Sequence, residues 1–250
     1  MELKDFFKLN PRVALAFSGG TDSALLLYAA ISCGADVKAY YVKSPFQPEF
    51  ELEDAKRLSR ELGADMELIE LDVLADECIA ENPAERCYFC KRAIFTAIYE
   101  AAVRDGYKLL IDGTNASDDP QDRPGMRALR ELSVRSPLRE CGLGKADVRR
   151  LSREAGLFTH DKAAYACLAT RIPTGDIITR EKLKKTERAE AFLASLGFRD
   201  FRVRYLEGAA RLQLREKDME RALRLASEIN RELKKYYTSV LLDLEVRNEQ

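Results

Sequence analysis

Short apolar runs alternate with longer amphipathic stretches over the first 160 residues of the chain. Each run has the length of a buried strand, and the runs occupy residues 12–17, 36–42, 66–71 and 107–113. The stretches with helical spacing occupy residues 2–9, 21–34, 48–63, 89–105, 124–132 and 145–155. Strands that alternate with helices predict an α/β fold with a doubly wound parallel sheet. Ligands of such sheets bind beyond the carboxyl ends of the strands.

The pattern changes after residue 160. Residues 160–179 are irregular, and Thr179 is the predicted N-cap of a helix that ends near Gly197. Alternating residues at 201–205 and 210–214 predict a hairpin that turns at Glu207-Gly208, before a helix at 217–236 and a strand at 239–244. We therefore expect a first domain at 1–160, a linker at 161–178 that carries Cys167, and a small α+β domain at 179–250 for substrate binding or oligomerisation.

The composition is that of an ordinary soluble protein, with 46% hydrophobic and 33% charged residues. The formal net charge is −1, so a broad electrostatic attraction to nucleic acid is not expected. The sequence contains no visible secretory signal or membrane-spanning run, and a cytoplasmic location without membrane contact is the expectation. In that compartment the six cysteines favour metal-binding or reactive roles over disulfides.

The first predicted strand is followed by Ser18-Gly19-Gly20, and a predicted helix begins directly after these residues. Two glycines allow a tight turn, and the N–H groups at the start of the helix form an anion site. Because no lysine follows the glycines, a loop that grips β- and γ-phosphates through a lysine is not expected. The stretch resembles the SGGxDS PP-loop of the ATP pyrophosphatases, an adenine nucleotide alpha hydrolase-like fold. Those enzymes cleave ATP between the α- and β-phosphates. The resemblance implies that ATP is bound by Ser18, Gly19, Gly20, Thr21, Asp22 and Ser23.

A second polar turn, Asp112-Gly113-Thr114, follows the fourth predicted strand. Its position at a strand end predicts that it joins the ATP site. Asp22, Asp112 or an acid of the loop at 114–125 is a candidate ligand for Mg²⁺. The alternative for the loop is a solvated connector.

Cys87 and Cys90 form a Cys-x-x-Cys pair near a helix start, where the helix dipole favours thiolates. A redox disulfide is one interpretation. A closed zinc site would need four ligands, whereas the chain has one histidine, His160, and no second such pair. With Cys167, three thiolates could hold a [4Fe–4S] cluster and leave one iron open. Cys33 is expected to be a buried small hydrophobe, and Cys78 and Cys141 are expected to be structural or incidental.

Six motifs, taken together, give a more specific signal than any one of them alone. They are SGGTDS at 18–23, ERCYFCK at 85–91, DGT…DRPG at 112–125, SPL at 136–138, CLATRIPTG at 167–175 and FRVRY at 201–205. Their order over nearly the whole chain resembles the LarE family, PP-loop sulfur transferases that build the nickel-pincer nucleotide cofactor of lactate racemase. Members adenylate a carboxylate of pyridinium-3,5-biscarboxylic acid mononucleotide and replace the activated oxygen with sulfur. The resemblance implies ATP, Mg²⁺, a small-molecule nucleotide substrate, release of AMP and pyrophosphate, and a homo-oligomer.

Two sulfur sources occur in that family. Some members sacrifice a cysteine, which becomes dehydroalanine, and others carry a sulfide on a three-cysteine [4Fe–4S] cluster. Cys87, Cys90 and Cys167 match the cluster type, whereas the sacrificial cysteine lies one residue earlier, where this chain has Ala166. We therefore expect the cluster, with sacrifice of Cys167 as the alternative. Cys167, Asp22 and Ser23 are the expected catalytic residues, and the physiological sulfide donor is not indicated.

The same resemblance implies that Arg171, Arg202 and Arg204 bind the substrate phosphate. Alternation along a strand places Arg202 and Arg204 on one face, where two guanidinium groups suit a phosphate, although a solvated strand face is the alternative. His160 stands where the family often has tryptophan, and we expect a structural role for it. Other interpretations are a tRNA-thiolating PP-loop enzyme, an amide-forming synthetase and a non-catalytic nucleotide-binding or cluster-carrying module.

Overall fold

The computed structural model of the chain describes residues 1–118 and 124–247, without the side chain of Pro124. It divides into two compact units. The first unit contains Met1–Val73 and Glu85–Lys162, and the second unit contains Leu74–Ala84 and Ala163–Gln250. Within the described ranges, no helix combines the length and the apolar character that crossing a membrane would require.

The strands are β1 (Arg12–Ala16), β2 (Asp36–Lys43), β3 (Asp65–Glu70), β4 (Leu110–Ile111), β5 (Arg202–Leu206), β6 (Ala209–Gln213) and β7 (Val240–Leu242). The helices are α1 (Leu3–Leu9), α2 (Thr21–Ser32), α3 (Glu49–Leu62), α4 (Glu77–Ala80), α5 (Arg86–Arg104), α6 (Pro124–Glu131), α7 (Pro137–Glu140), α8 (Lys145–Glu154), α9 (Arg180–Ser195), α10 (Glu216–Arg224) and α11 (Ala226–Leu233). Short 3₁₀ turns lie at Val73–Ala75, Phe158–Asp161 and Leu168–Arg171.

The sheet of the first unit has four parallel strands in the order β3-β2-β1-β4. Successive side chains of β1 enter different cores, because side chains alternate across a strand. Val13 and Leu15 pack with residues of α1, α2, α3 and α8, whereas Ala14 packs with residues of α5 and α6. Helices therefore cover both faces, and the predicted α/β fold with a doubly wound parallel sheet is confirmed.

The chain moves outward from β1 to β2 and β3, and then returns to the other side of β1 to form β4. The order therefore reverses between β1 and β4, and the carboxyl ends of these two strands border a crevice in sheets of this type. Ser18 follows β1 and Asp112 follows β4, so the topology places the two predicted polar turns at this point.

The second unit contains a three-stranded sheet in the order β5-β6-β7. β5 and β6 form the predicted antiparallel hairpin, with positive φ at Glu207 and Gly208, and β7 runs parallel to β6. Side chains of α9, α10 and α11 pack on this sheet. Thr179 caps α9 as predicted, since its hydroxyl accepts a hydrogen bond from the N–H of Lys182.

Residues 74–84 also belong to the second unit, although they lie between β3 and α5 in sequence. The N–H of Gly175 donates to the carbonyl of Asn82, and the N–H of Ile178 donates to that of Ala80. These bonds fasten the short segment to the loop that follows Cys167.

Three sequence-based expectations were wrong in detail. The helix predicted at 217–236 is divided into α10 and α11 at Leu225, whose φ of −93° and ψ of 7° depart from helical values. The strand predicted at 107–113 keeps ladder pairing only at Leu110–Ile111. Cys33 is exposed rather than buried, because α2 ends at Ser32 and the chain turns at Gly34 with φ of +73°.

Candidate functional site

The loop at Ser18–Ser23 is held by its own hydroxyl groups. The Ser18 and Ser23 Oγ atoms are 3.1 Å apart, and Ser18 N–H and Gly20 N–H donate to Ser23 Oγ and Ser18 Oγ at 3.3 Å each. Gly19 has φ of +69°, and a Cβ added to it would lie 3.0 Å from Ala55 Cβ. Only glycine fits both the backbone conformation and the space at this position.

α2 begins directly at this loop, with Gly20 as its N-cap. The first N–H groups of a helix have no partners within the helix and carry partial positive charge. The side chain of Thr21 is turned away from these groups, since its hydroxyl donates to the carbonyl of Thr159 at 2.7 Å. Helix starts with exposed N–H groups can bind phosphate, so this loop is a candidate phosphate site.

The turn after β4 packs against the start of α2. A Cβ added to Gly113 would lie 3.0 Å from the backbone nitrogen of Ser23 and 3.2 Å from Asp22 Cβ, so glycine permits this close approach. The buried carboxylate of Asp112 accepts hydrogen bonds from Thr114 Oγ1 at 2.5 Å and Ser136 Oγ at 2.6 Å. The structure therefore brings together Asp22, Ser23, Asp112, Gly113 and Thr114 from the two predicted strand ends.

Asp22 is the carboxylate of the loop and has an unusual environment. Burial raises its pKa above the ordinary value, and the charge of Asp118 raises it further, whereas a hydrogen bond from Asn115 and the charge of Lys145 oppose the rise. Asn115 Nδ2 donates to Asp22 Oδ1 at 3.0 Å. Oxygen atoms of this kind suit Mg²⁺. The loop acids Asp119 and Asp122 lie outside the described residues, and so does Arg123, which follows Asp122 in the DRPG motif.

Cys87 and Cys90 lie near the start of α5, as the sequence predicted. They are three positions apart along the helix, which places the two thiols on one side of it. Cys87 is exposed, and Arg86 Nη2 lies 3.4 Å from its Sγ. The helix N-terminus and the nearby guanidinium place positive electrostatic potential beside the sulfur.

The ring of Tyr88, between these cysteines, is flanked by arginines. The guanidinium of Arg127 lies 3.7 Å from the ring centroid and that of Arg92 lies 5.5 Å from it. The surroundings of the pair are therefore rich in positive charge, which suits thiolates and anionic sulfur.

The donor set fits an iron–sulfur cluster in chemistry, because such clusters are held by cysteine thiolates. Cys87 and Cys90 supply two of these donors in the first unit, and Cys167 belongs to the second unit. Among residues 1–118 and 124–247, no group of three or more His, Cys, Asp or Glu side chains is arranged to hold a metal ion. The role of Cys167 as third ligand therefore rests on the sequence.

The second unit brings together Arg171, Arg202 and Arg204, which we call the arginine triad. Arg171 is buried in an ion pair with Glu190 and donates from Nη1 to Thr170 Oγ1 at 2.7 Å. Arg202 donates to the carbonyls of Phe201 at 2.6 Å and Ala164 at 2.7 Å. Arg204 donates to Gln213 Oε1 at 2.5 Å and to the Thr170 carbonyl at 2.7 Å.

The guanidinium groups of the arginine triad are shielded from water, so their positive charges are poorly solvated. Burial lowers the pKa of Arg202 to about 10, and the charges of Arg171 and Arg247 lower it further. Burial also lowers the pKa of Arg204, again with Arg171 as the leading charge. Buried cations that repel one another are stabilised by an anion, so this group is a candidate phosphate site.

Thr170 connects the arginine triad to Cys167. Its N–H and hydroxyl both donate to the carbonyl of Cys167, at 3.0 Å and 2.8 Å. The same hydroxyl accepts from Arg171, and the Thr170 carbonyl accepts from Arg204. A candidate sulfur-handling cysteine is therefore fixed one short 3₁₀ turn from a candidate phosphate site.

Sequence reasoning missed three residues that shape these sites: Asn115, Ser136 and Glu190. Ser136 was visible within the SPL motif, but the motif does not indicate that its hydroxyl reaches Asp112. Asn115 lies in the polar loop predicted at 114–125 and Glu190 in the helix predicted after Thr179, and neither residue was singled out. His160, for which a structural role was expected, places Nδ1 2.9 Å from the carbonyl of Leu157.

No protein-family model matches the chain, but comparison with known proteins finds relatives that match over most of its length. The chain is 38% identical over 213 residues to the uncharacterized protein slr1717 of Synechocystis sp., which covers 85% of this chain and 80% of that protein. It is 35% identical over 236 residues to pyridinium-3,5-bisthiocarboxylic acid mononucleotide synthase of Lactiplantibacillus plantarum, over 93% of this chain and 86% of that enzyme. A more distant relative is tRNA-specific 2-thiouridylase MnmA 1 of Clostridium botulinum, 26% identical over 60% of this chain and 52% of its own length.

Proposed function

The chain belongs to the LarE family of PP-loop sulfur transferases, and on this premise we propose that it is an ATP-dependent enzyme that converts a substrate carboxylate to a thiocarboxylate. The proposed substrate is pyridinium-3,5-biscarboxylic acid mononucleotide, since the Lactiplantibacillus relative is named for the bisthiocarboxylic product. The observation that carries the proposal is the chain of hydrogen bonds from Cys167 through Thr170 to Arg171 and Arg204. A sulfur-handling residue beside a phosphate site suits a phosphorylated substrate.

The first step is adenylation, because a free carboxylate is a poor electrophile. The substrate carboxylate attacks the α-phosphate of ATP, pyrophosphate leaves, and an acyl adenylate forms. The proposed ATP-binding residues are Ser18, Gly19, Gly20, Thr21, Asp22, Ser23, Asp112, Gly113 and Thr114. Backbone N–H groups at the start of α2 would stabilise the charge that develops on the leaving oxygens. Asp22 would hold Mg²⁺, which when bound neutralises phosphate charge.

The second step replaces AMP with sulfur. Arg171, Arg202 and Arg204 hold the substrate phosphate and so fix the position of the activated carbonyl. Cys87, Cys90 and Cys167 would hold a [4Fe–4S] cluster, which when bound supplies an iron with an open position for sulfide. Arg86 and Arg92 add positive charge beside this pair of cysteines, which suits anionic ligands. Sacrifice of the Cys167 sulfur is the alternative source.

The cysteine assignment is tested by purifying the chain without oxygen and measuring bound iron and acid-labile sulfide. We expect both to fall in Cys87→Ala, Cys90→Ala and Cys167→Ala. Cys33→Ala, Cys78→Ala and Cys141→Ala are matched controls that should retain them. Unchanged iron in all three test variants would exclude the cluster, and dehydroalanine at position 167 after turnover would establish sacrifice.

The substrate assignment is tested by incubating the protein with ATP and the biscarboxylic mononucleotide. We expect AMP and pyrophosphate to form only when the mononucleotide is present, and a thiocarboxylate product to follow when sulfide is supplied. ATP cleavage that requires tRNA instead would contradict the proposal. We also propose a homo-oligomer in the cytoplasm that binds neither nucleic acid nor membrane, and light scattering of the purified protein tests its assembly.

A further inference from the structure

The carboxylate of Asp200 lies within reach of two arginines, but one of them holds it closely. Arg247 approaches Asp200 Oδ1 with Nη2 at 2.9 Å and with Nε at 3.3 Å. Arg202 Nη1 lies 3.9 Å from the same oxygen. Asp200 is therefore engaged by a residue outside the arginine triad, although it is only two positions from Arg202 in sequence.

Arg247 is itself fixed on both sides. Its backbone N–H donates to the carbonyl of Leu214 at 2.9 Å, just after β6. Its Nε also lies 3.2 Å from the backbone carbonyl of Asp200. Asp200 has a φ of +49°, a conformation that aspartate tolerates in turns. The guanidinium of Arg247 thus clamps both the side chain and the backbone of the turn that leads into β5.

The clamp matters because of the hydrogen bonds that Arg202 makes. Arg202 is buried and donates to two neutral carbonyl groups, those of Phe201 and Ala164. A carboxylate that paired closely with Arg202 would neutralise its charge and occupy the guanidinium edge that a phosphate needs. Arg247 instead draws the Asp200 carboxylate to itself and adds a second positive charge nearby.

We propose that Arg247 is a positioning residue for phosphate binding, which keeps Asp200 from pairing closely with Arg202 and so leaves Arg202 available to the substrate phosphate. The inference rests on the proposed function, and specifically on the assignment of Arg202 to the phosphate. Arg247 acts on the phosphate site through its contact with Asp200 and does not itself contact the ligand.

Asp200 is the residue that would compete with the phosphate for Arg202. If Arg247 is removed, the Asp200 side chain is free to rotate toward Arg202 and compete with the phosphate. Removing the Asp200 carboxylate as well should abolish this competition. If Arg247 had only a structural role, removing the Asp200 carboxylate would not restore binding. The double variant therefore distinguishes competition by Asp200 from a structural role of Arg247.

The test measures binding of nicotinamide mononucleotide and of inorganic phosphate to the full chain by calorimetry. We expect Arg247→Ala to weaken binding about tenfold, as loss of a charge pair near a binding site does. Arg247→Ala combined with Asp200→Asn should return to within about threefold of the unmodified protein, and Arg247→Lys should keep part of the affinity. Arg224→Ala removes an arginine that is exposed and paired with Glu220, and should leave binding unchanged.

Arg202→Ala distinguishes the possible failures. If Arg202→Ala binds the mononucleotide as tightly as the unmodified protein, the assignment of the phosphate site is wrong. If Arg202→Ala loses binding but Arg247→Ala does not, the role of Arg247 is wrong and the proposed function stands. An Arg247→Ala defect that Asp200→Asn fails to rescue also overturns the inference.

Discussion

Glu190 holds Arg171 with both of its carboxylate oxygens, Oε1 at 2.7 Å from Nε and Oε2 at 3.3 Å from Nη2. The two side chains are only 1% and 6% exposed. Glu190 also accepts from the Val203 N–H at 2.9 Å and from the Tyr165 hydroxyl at 2.6 Å. One carboxylate on α9 therefore joins β5 to the segment that carries Arg171.

Glu190→Ala should strongly destabilise the protein. The substitution leaves the buried charge of Arg171 without its partner, and removing one member of such a pair typically costs about 3–5 kcal/mol. The measurement is the free energy of unfolding in urea. Glu220→Ala is the control, because its exposed pair with Arg224 should contribute less than about 1 kcal/mol. Equal, small losses in both variants would show that the Glu190 pair is not a structural element.

Gly19→Ala should abolish ATP cleavage and lower stability more than Gly34→Ala. Both positions have positive φ, +69° and +73°, so each alanine incurs backbone strain of about 1–2 kcal/mol. At Gly19 the new Cβ also meets Ala55 at 3.0 Å, whereas nothing lies within 4 Å at Gly34. Thermal unfolding and pyrophosphate release measure the two effects. If both variants retain ATP cleavage, the close packing of the loop on α3 is not required.

Asp22→Asn should make the protein more stable at neutral pH and inactive in ATP cleavage. Burial raises the pKa of Asp22 above its ordinary value of 3.8, so the folded protein binds this proton more tightly than the unfolded chain. Stability therefore falls as the pH rises above the ordinary pKa of 3.8 towards the raised pKa of the folded state, so a penalty is present at neutral pH. The gain from Asp22→Asn should disappear near about pH 3, where both states are protonated.

Urea unfolding at several pH values checks this prediction. Asp161→Asn, which removes an exposed carboxylate, should show no comparable gain. A gain in Asp22→Asn that persists unchanged at low pH would contradict a cause in the ionisation of Asp22.

Asn82→Ala should destabilise the protein more than Asn82→Gly. The buried amide of Asn82 donates to the Pro173 carbonyl at 2.6 Å, and its φ is +56°. Either substitution loses that hydrogen bond, worth about 1 kcal/mol, but alanine adds about 1–2 kcal/mol of left-handed backbone strain. Urea unfolding measures the difference.

Ser133→Gly is the matched control for backbone strain alone. Ser133 has φ of +54° and is exposed, so glycine should be tolerated there and raise stability slightly. Equal losses in the two Asn82 variants would mean that the left-handed backbone at this position is not maintained.

The sequence was most informative where one local cause controls the structure. The apolar run at 12–17 and the glycines after it predicted strand, loop and helix because each needs only its own residues. Glu207-Gly208 predicted the hairpin for the same reason. The prediction of one helix at 217–236 was wrong, because the apolar periodicity continues through Leu225. In the structure the helix is divided there, and α10 and α11 both pack on the small sheet.

By itself the sequence determined the α/β class, the PP-loop at the start of a helix, the Cys-x-x-Cys pair near a helix start, and membership of a sulfur-transferase family. Each of these is recorded in residues that are close together in the chain. Tertiary structure alone decided that Ser136 reaches Asp112, that Glu190 holds Arg171, and that Arg247 takes the carboxylate of Asp200. These partners are separated by 24, 19 and 47 residues, and no local pattern of charge or periodicity encodes a pairing that only the folded chain brings about.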